Sequence, residues 1–249
     1  MTFRAKNMPY FEGSTPRVFA HRGLHTVHPE NSRGAFRAAV DAGVRYIETD
    51  VVASRDGVAM IAHDINLDRI AGIRGAVGDY TATELSGIDI GGEGFITLRH
   101  ALEEFPDTRF NIDIKDARTI PDVVRTMREL NATDRVLISS FSARRRRAAL
   151  AELPTIATSA SSTEFLAIYA ACRLGFTPPL PRIQAVQIPE SAYGMRTVTL
   201  ELVERYHGLG LEVHVWTVND EEDMRRLLSL GVDGIVTDRA DMALRVINS

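Results

Sequence analysis

Short apolar runs alternate with segments of helical periodicity along almost the whole chain. The first apolar run, VFAH (18–21), is followed by residues 31–43, which carry a helical pattern. The apolar residues that recur at helical spacing there are Ala35, Phe36, Ala39 and Val40. Asn31 can cap the start of this helix and Gly43 can end it. The pattern therefore predicts a strand followed by an α-helix.

The same unit recurs to the end of the chain. Further strands are predicted at 44–51, 109–115, 135–140, 155–160, 183–189, 212–218 and 234–238. Helices are predicted to follow them at 97–105, 121–130, 143–153, 163–175, 200–210, 221–231 and 241–248. A short extra strand, GVAMIAHD (57–64), leads into a polar, glycine-rich segment that runs to about residue 96.

Eight strand–helix units in a chain of 249 residues predict an α/β fold, a (β/α)8 TIM barrel with parallel strands. A doubly wound open sheet is the alternative, but eight units is many for that fold. No linker divides the chain, so we expect a single domain over 1–249 with an insertion at about 64–96.

Composition narrows the class of protein. The chain is 45% hydrophobic and 25% charged, as is usual for a soluble globular protein, and its net charge of −4 argues against general nucleic-acid binding. One cysteine, Cys172, excludes an internal disulfide. No signal peptide and no apolar stretch of about 18 residues are apparent, so we expect a cytoplasmic protein without a transmembrane segment. The sequence leaves the oligomeric state open.

Reactive side chains collect where the predicted strands end, and in TIM barrels the active site lies at those C-terminal ends. They are His21, Arg22, Glu48, Asp50, His63, Asp64, Asp113, Lys115 and Trp216. Members of the pairs 48/50 and 113/115 are two residues apart, so each pair points to one face of its strand. The other ends of these strands offer no comparable set.

The three carboxylates of Glu48, Asp50 and Asp113 would lie close together inside the barrel. Burying them is costly without cations, and ligation by oxygen alone suits Mg²⁺ or Ca²⁺. The positive charges of a divalent metal, Arg22 and Lys115 together exceed the negative charges of the three carboxylates by one. A phosphodiester monoanion would neutralise this excess. The guanidinium fork also matches phosphate oxygens.

Cleavage of a phosphodiester needs one group to deprotonate the attacking hydroxyl and another to protonate the leaving alkoxide. Two histidines can divide this work because their unperturbed pKa lies near neutrality. We expect His21 and His63 to be this pair, and Trp216 to form a wall of the pocket. Trp216 and Tyr193 could contribute to binding a choline group.

Several motifs resemble the glycerophosphodiester phosphodiesterase family, from about residue 18 to 241. They are HRG (21–23), PENS (29–32), E-x-D (48–50), DG (56–57), HD-x2-L-x-R (63–69), NIDIK (111–115), VWTVN (215–219) and GVDGIVTD (231–238). The resemblance implies hydrolysis of glycerophosphodiesters to an alcohol and glycerol 3-phosphate. It makes His21 and His63 the acid/base pair, and Arg22 and Lys115 the phosphate contacts. It implies divalent-metal binding by residues 48 and 50 with a third carboxylate on strand three.

Two departures from the family pattern leave alternatives open. The third carboxylate is usually Glu in an E-x-K pattern, but here it is Asp113, and Ser32 replaces the Thr of PENT. Asp113 favours, as an alternative, a phospholipase of the sphingomyelinase D or lysophospholipase D type. A metal-dependent aldolase or lyase barrel is a further alternative, although it would not need two histidines on the first two units.

The most basic run is Arg144 to Arg147, at the start of the predicted fourth helix. We interpret it as a solvated helix face. The alternative is a site for anionic lipid or a second phosphate.

Overall fold

Eight parallel strands form a closed barrel in the structure, a computed structural model that describes residues 5–180, 182–192 and 194–249. In chain order the described residues form β1 (Arg17–His21), β2 (Tyr46–Ala53), β3 (Ala59–Ile61), β4 (Arg109–Ile114), β5 (Val136–Ser139), β6 (Ala157–Thr158), β7 (Ala185–Ile188), β8 (Ser191–Ala192), β9 (Met195–Arg196), β10 (Glu212–Val215) and β11 (Gly234–Thr237). Strand β3 pairs antiparallel with β2, β8 and β9 pair antiparallel with each other, and the other eight are the barrel strands. The barrel order is β6-β5-β4-β2-β1-β11-β10-β7. A parallel bridge between Ser159 and Ala185 joins the two ends of this order, so the TIM-barrel prediction is confirmed.

Helices surround the barrel, and the core packs between them and the outer faces of the strands. They are α1 (Arg33–Asp41), α2 (Asp68–Ala71), α3 (Ala82–Ser86), α4 (Leu98–Glu104), α5 (Ile120–Glu129), α6 (Ala143–Glu152), α7 (Ser162–Leu174), α8 (Leu200–Gly208), α9 (Glu221–Ser229) and α10 (Ala240–Asn248). At least one helix stands between each two consecutive barrel strands, as the crossover connection between parallel strands requires.

The cap of α1 differs from the predicted one. Ser32, not Asn31, caps this helix, because its Oγ accepts a hydrogen bond of 3.1 Å from the backbone N–H of Ala35. Asn31 instead has a left-handed backbone with φ 56°, and its side chain binds β2: Oδ1 accepts from Thr49 Oγ1 at 2.7 Å, and Nδ2 donates to Asp50 Oδ2 at 3.4 Å. Asn31 thus connects the start of α1 to the end of the barrel, and Ser32 caps the helix.

The N-terminal segment closes the bottom of the barrel, and the hydrophobic pattern of the sequence did not predict this. Two short 3-10 helices, Ala5–Asn7 and Pro9–Phe11, place the rings of Tyr10 and Phe11 under the strands. Above them His214 is fully buried and its Nε2 lies 3.0 Å from Glu212, as expected for a core histidine. The lower barrel is thus filled, and only the C-terminal end stays open to chemistry.

Strand β2 begins and ends two residues later than predicted, and it leaves the barrel before it ends. Residues 46–51 pair with β4, whereas 51–53 pair with the antiparallel β3. Glu48 and Asp50 consequently lie within β2 rather than at its end. The segment that follows β3 packs its own apolar cluster against Val52 and Met60. The predicted insertion therefore sits beside the C-terminal end of the barrel.

The basic run at the start of α6 is not one solvated face. Arg146 is 1% exposed, and its Nε and Nη2 donate to the two carboxylate oxygens of Glu164 on α7, at 2.9 and 2.7 Å. Burial raises the pKa of Glu164, but hydrogen bonds from Arg146 and Ser161 outweigh it and lower that pKa to about 2. The interpretation of a solvated face is wrong for Arg146, because its partner lies on the next helix.

We predict that Arg146→Met destabilises the fold by about 3–5 kcal/mol at neutral pH, because it leaves the Glu164 carboxylate partly buried without its cation. The free energy of unfolding from urea denaturation measures this. Arg147→Gln is the matched control, since this exposed neighbour reaches the same carboxylate at only 3.3 Å. A loss below about 1 kcal/mol in Arg146→Met would contradict the assignment.

Candidate active site

The residues singled out from the sequence meet at the C-terminal end of the barrel. His21 is in register with Glu48 on the neighbouring strand, and Asp50 is in register with Asp113. Alternation along each strand turns these side chains inward, while residues such as Ile47 and Ile112 face the helices. The open end of the barrel is thus lined by ionisable groups.

A lysine lies between two of the three carboxylates. Lys115 Nζ is 2.9 Å from Asp50 Oδ1 and 2.6 Å from Asp113 Oδ2. Burial lowers the pKa of Lys115, but the two carboxylates raise it above its ordinary value overall. Burial, followed by the charge of Asp50, raises the pKa of Glu48 well above its usual range. The three side chains of Glu48, Asp50 and Asp113, the carboxylate cluster, thus outnumber the two cationic side chains beside them, Lys115 and Arg22.

Arg22 reaches the same cluster from an unusual backbone conformation. Its φ is 58°, in the left-handed region that non-glycine residues seldom adopt. Nη1 donates to Glu30 Oε1 at 2.9 Å, and Nε lies 3.6 Å from Asp50 Oδ2. The next residue, Gly23, has φ 85°, and a Cβ there would lie 2.7 Å from the backbone of Ala35. The HRG motif thus turns the chain sharply and packs it on α1.

His21 is held by a carboxylate from the last barrel strand's end. Its Nδ1 lies 2.7 Å from Asp238 Oδ1, and its Nε2 lies 3.8 Å from Glu48 Oε2. Asn219 donates to Asp238 Oδ2 at 2.7 Å, and His25 Nε2 approaches Oδ1 at 3.2 Å. Burial raises the pKa of Asp238, but these hydrogen bonds lower it far more. An ionised carboxylate therefore fixes Nδ1–H of His21 and leaves Nε2 facing the cluster.

His63 has the same kind of partner. Its Nδ1 lies 2.7 Å from Asp64 Oδ1, and the other oxygen of Asp64 accepts from Arg69 Nε at 2.5 Å. Arg69 also donates to Glu30 Oε1 at 2.6 Å, which is the oxygen that Arg22 contacts. A chain of charged hydrogen bonds thus links His63 to Arg22, although His63 does not contact the carboxylate cluster directly.

Aromatic rings stand on the opposite side of the opening. Trp216 follows β10 and packs edge-on against Phe141, with ring centroids 5.9 Å apart. The Phe141 ring in turn faces Lys115 Nζ at 5.3 Å. Trp216 therefore borders the cluster through Phe141 rather than by direct contact. Tyr193 lies outside the described residues.

Three buried polar atoms of the cluster have no hydrogen-bond partner among the described residues: Glu48 Oε2, Asp113 Oδ1 and Arg22 Nε. Such atoms are rare in folded proteins because each one costs about 1–3 kcal/mol. In the described part of the chain, no three or more His, Cys, Asp or Glu side chains are already arranged as the ligands of a metal ion. The unpartnered oxygens nevertheless suit a cation, and the unpartnered N–H suits an anion.

Sequence reasoning missed four contributors to this end of the barrel: Glu30, His25, Asn219 and Asp238. All four lie in or near segments that carried the family resemblance, but their roles depend on contacts between distant parts of the chain. The backbone N–H of Asp238 also donates to Asn219 Oδ1 at 2.9 Å, so the two residues bind each other twice.

The statistical model of the Glycerophosphoryl diester phosphodiesterase family matches residues 21–242. The chain belongs to this family. It is accordingly a phosphoric diester hydrolase, which excludes the aldolase or lyase alternative.

Relatives cover nearly the whole chain. "Probable glycerophosphodiester phosphodiesterase 2" of Mycobacterium tuberculosis is 43% identical over 232 residues, covering 90% of this chain and 88% of its own. A phosphodiesterase of Oleispira antarctica, solved with the product sn-glycerol-3-phosphate, has a TM-score of 0.79 and 26% identity, covering 94% and 98% of the two chains. A glycerophosphodiester phosphodiesterase of Agrobacterium tumefaciens has the same TM-score and 25% identity, covering 94% and 99%.

Within the described residues, no helix is both long enough and apolar enough to span a membrane.

Proposed function

We propose that this protein hydrolyses glycerophosphodiesters to an alcohol and glycerol 3-phosphate, with His21 and His63 as the general acid/base pair. The observation that carries the proposal is that each of the two histidines is bound through Nδ1 to a carboxylate, at 2.7 Å in both cases. In each ring Nε2 is then the nitrogen that can exchange a proton with substrate. The glycerol 3-phosphate found in the Oleispira antarctica relative supports this product.

Glu48, Asp50 and Asp113 are the proposed ligands of one divalent metal, Mg²⁺ or Ca²⁺. The residues fit such an ion, because Glu48 Oε2 and Asp113 Oδ1 are buried without a hydrogen-bond partner among the described residues. Asp50 Oδ2 has long contacts, 3.4 Å from Asn31 Nδ2 and 3.6 Å from Arg22 Nε. The bound ion would polarise the phosphoryl oxygens. Lys115 holds the other oxygens of Asp50 and Asp113, so it can stay in place while the free oxygens bind the cation.

Arg22 and Lys115 are the proposed phosphate contacts. The unpartnered Nε of Arg22 is aimed into the charged cluster, and Nη1 is anchored by Glu30, so the guanidinium is oriented before substrate arrives. Preorganised donors of this kind stabilise the charge that develops on the phosphoryl oxygens. Trp216, together with Phe141, is the proposed wall for the organic part of the substrate.

His21 is the proposed base and His63 the proposed acid. His21 Nε2 removes the proton of the glycerol 2-hydroxyl as its oxygen forms a bond to phosphorus. The bond between phosphorus and the alcohol oxygen breaks, and His63 donates the proton that the alcohol takes away. Water then opens the cyclic phosphate, with the two histidines exchanging roles, which regenerates both protonation states.

Asp238 is the proposed positioning residue for His21. It accepts from Nδ1, so it selects the tautomer with a free Nε2 and stabilises the imidazolium that forms. Asn219 fixes Asp238 in turn: its Nδ2 donates to the carboxylate, and its Oδ1 accepts from the Asp238 backbone N–H. Asp64 serves His63 in the same way, with Arg69 in the place of the asparagine.

A lysophospholipid is a second candidate substrate, because apolar side chains are exposed around the same opening. Val27, Ile65 and Phe141 follow β1, β3 and β5 and are 87, 53 and 55% exposed. Such a rim could receive an acyl chain.

We expect the wild type to release glycerol 3-phosphate from glycerophosphocholine, measured enzymatically, with lysophosphatidylcholine run in parallel to test the second candidate.

His21→Ala and His63→Ala should each lower kcat by about 10²–10⁴-fold with little change in KM. His207→Ala, which removes a histidine bound to Asp233 at the surface, is the matched control. More than a tenth of wild-type kcat in either variant would exclude the two-histidine mechanism. A 4-nitrophenyl leaving group should rescue only the variant lacking the acid, His63→Ala.

Asp113→Asn should weaken divalent-metal binding roughly tenfold or more, because it removes one anionic ligand at nearly constant shape. Calorimetric titration of Mg²⁺ and of Ca²⁺ into EDTA-treated protein measures the Kd. Asp113→Glu keeps the charge, so it should bind metal at least as well as the wild type. If Asp113 only pairs with Lys115, the metal Kd of Asp113→Asn will equal that of the wild type.

Asp238→Asn should reduce kcat by about 10²-fold while KM changes little, because the neutral amide holds His21 less firmly and does not stabilise its cation. Combined with His21→Ala it should add no further loss, since the two residues act as a unit. Asp233→Asn, which acts on surface His207, is the control. Additive losses in the double variant would show that Asp238 acts independently of His21.

A further inference from the structure

One arginine at the open end of the barrel has no acidic partner. Arg145 lies in the first turn of α6, beside the C-terminal ends of β4 and β5. Its neighbours Arg146 and Arg147 both contact Glu164. Within residues 5–180, 182–192 and 194–249, no carboxylate lies within 4.0 Å of the Arg145 side chain. Its charge is therefore free to meet a ligand.

The position of this guanidinium is nevertheless fixed. Arg145 Nε donates to Ser140 Oγ at 3.1 Å, and that buried hydroxyl donates to the carbonyl of Ile114 at 2.8 Å. The two terminal nitrogens keep their hydrogen-bonding capacity. These contacts place the charge beside the carboxylate cluster, because Ile114 stands between Asp113 and Lys115 on the chain.

Arg145 also adjoins the aromatic wall. Phe141, four residues before it, faces Lys115 at 5.3 Å and packs against Trp216. A diester whose phosphate contacts Lys115 therefore has two neighbours from the segment after β5, the Phe141 ring and the Arg145 guanidinium that is anchored to the preceding Ser140. The glycerol half of the substrate carries only hydroxyl groups, so an anion in this position must belong to the alcohol half.

We propose that Arg145 is a specificity residue that favours glycerophosphodiesters whose alcohol carries a second anionic group, a carboxylate or a phosphate. The inference rests on the proposed function. A guanidinium fixed through Nε and open at both Nη groups matches the two oxygens of such an anion better than it matches a hydroxyl or an ammonium group.

The test compares two substrates that differ by one carboxylate, glycerophosphoserine and glycerophosphoethanolamine. The wild type should have the higher kcat/KM for the serine substrate, and Arg145→Gln should reduce the serine-to-ethanolamine ratio by about tenfold, as expected for loss of a hydrogen bond to a charged group. Arg145→Lys should retain part of the preference. Arg147→Gln is the control in which the ratio stays at the wild-type value. Glycerophosphoinositol 4-phosphate and glycerophosphoinositol form a second pair, which differs by one phosphate. A larger preference in this pair than in the serine pair would identify a phosphate as the favoured anion.

Two outcomes would overturn the inference while leaving the proposed function intact. In one, the ratio is the same in the wild type and Arg145→Gln. In the other, Arg145→Gln loses activity equally on every substrate, which would place its action at the shared phosphate or metal. Turnover of none of these substrates by the wild type would instead refute the proposed function, and this inference with it. Thermal unfolding of each variant at the wild-type temperature confirms that the comparison is between folded proteins.

Discussion

The upper barrel depends on one electrostatic constraint: it encloses three carboxylates, and only two cationic side chains, Lys115 and Arg22, lie beside them. Lys115 bridges Asp50 and Asp113, but among the described residues no Lys or Arg side chain lies within 4.0 Å of the Glu48 carboxylate, and burial raises the pKa of Glu48 well above its usual range. Burying carboxylates in this way is costly unless cations compensate them. The proposed binding of a metal ion together with a phosphate would supply that compensation.

The rest of the barrel keeps these groups where they are. Strand register sets His21 beside Glu48 and Asp50 beside Asp113, and the rings of Tyr10 and Phe11 fill the space beneath. Because the lower barrel is packed, the charged side chains have no room to fold away from the opening. Strain at Arg22, the one non-glycine of the HRG turn with a left-handed backbone, is maintained by that packing and by α1.

Alternating apolar and helical segments were sufficient to predict the barrel, and spacing by two predicted that residues 48 and 50 share a face. Both inferences rest on local geometry, which a sequence displays directly. Contacts between distant segments could not be predicted in that way. Arg146 is buried because Glu164 lies on the following helix, and Asn31 leaves the cap of α1 because its side chain binds Thr49 and Asp50. The metal, the single-domain assignment and the roles of the site residues stay predictions.

The pairing of the first strand with the last has a consequence for the newly made protein. His21 leaves the ribosome early, but the carboxylate that orients it is 217 residues farther along. Strand β1 also lacks one neighbour until β11 arrives. Since chains are synthesised from the N-terminus, the nascent protein cannot form the contact between His21 and Asp238 until residue 238 has left the ribosome. A chain that stops before that residue would lack both the carboxylate at His21 and the β11 partner of β1.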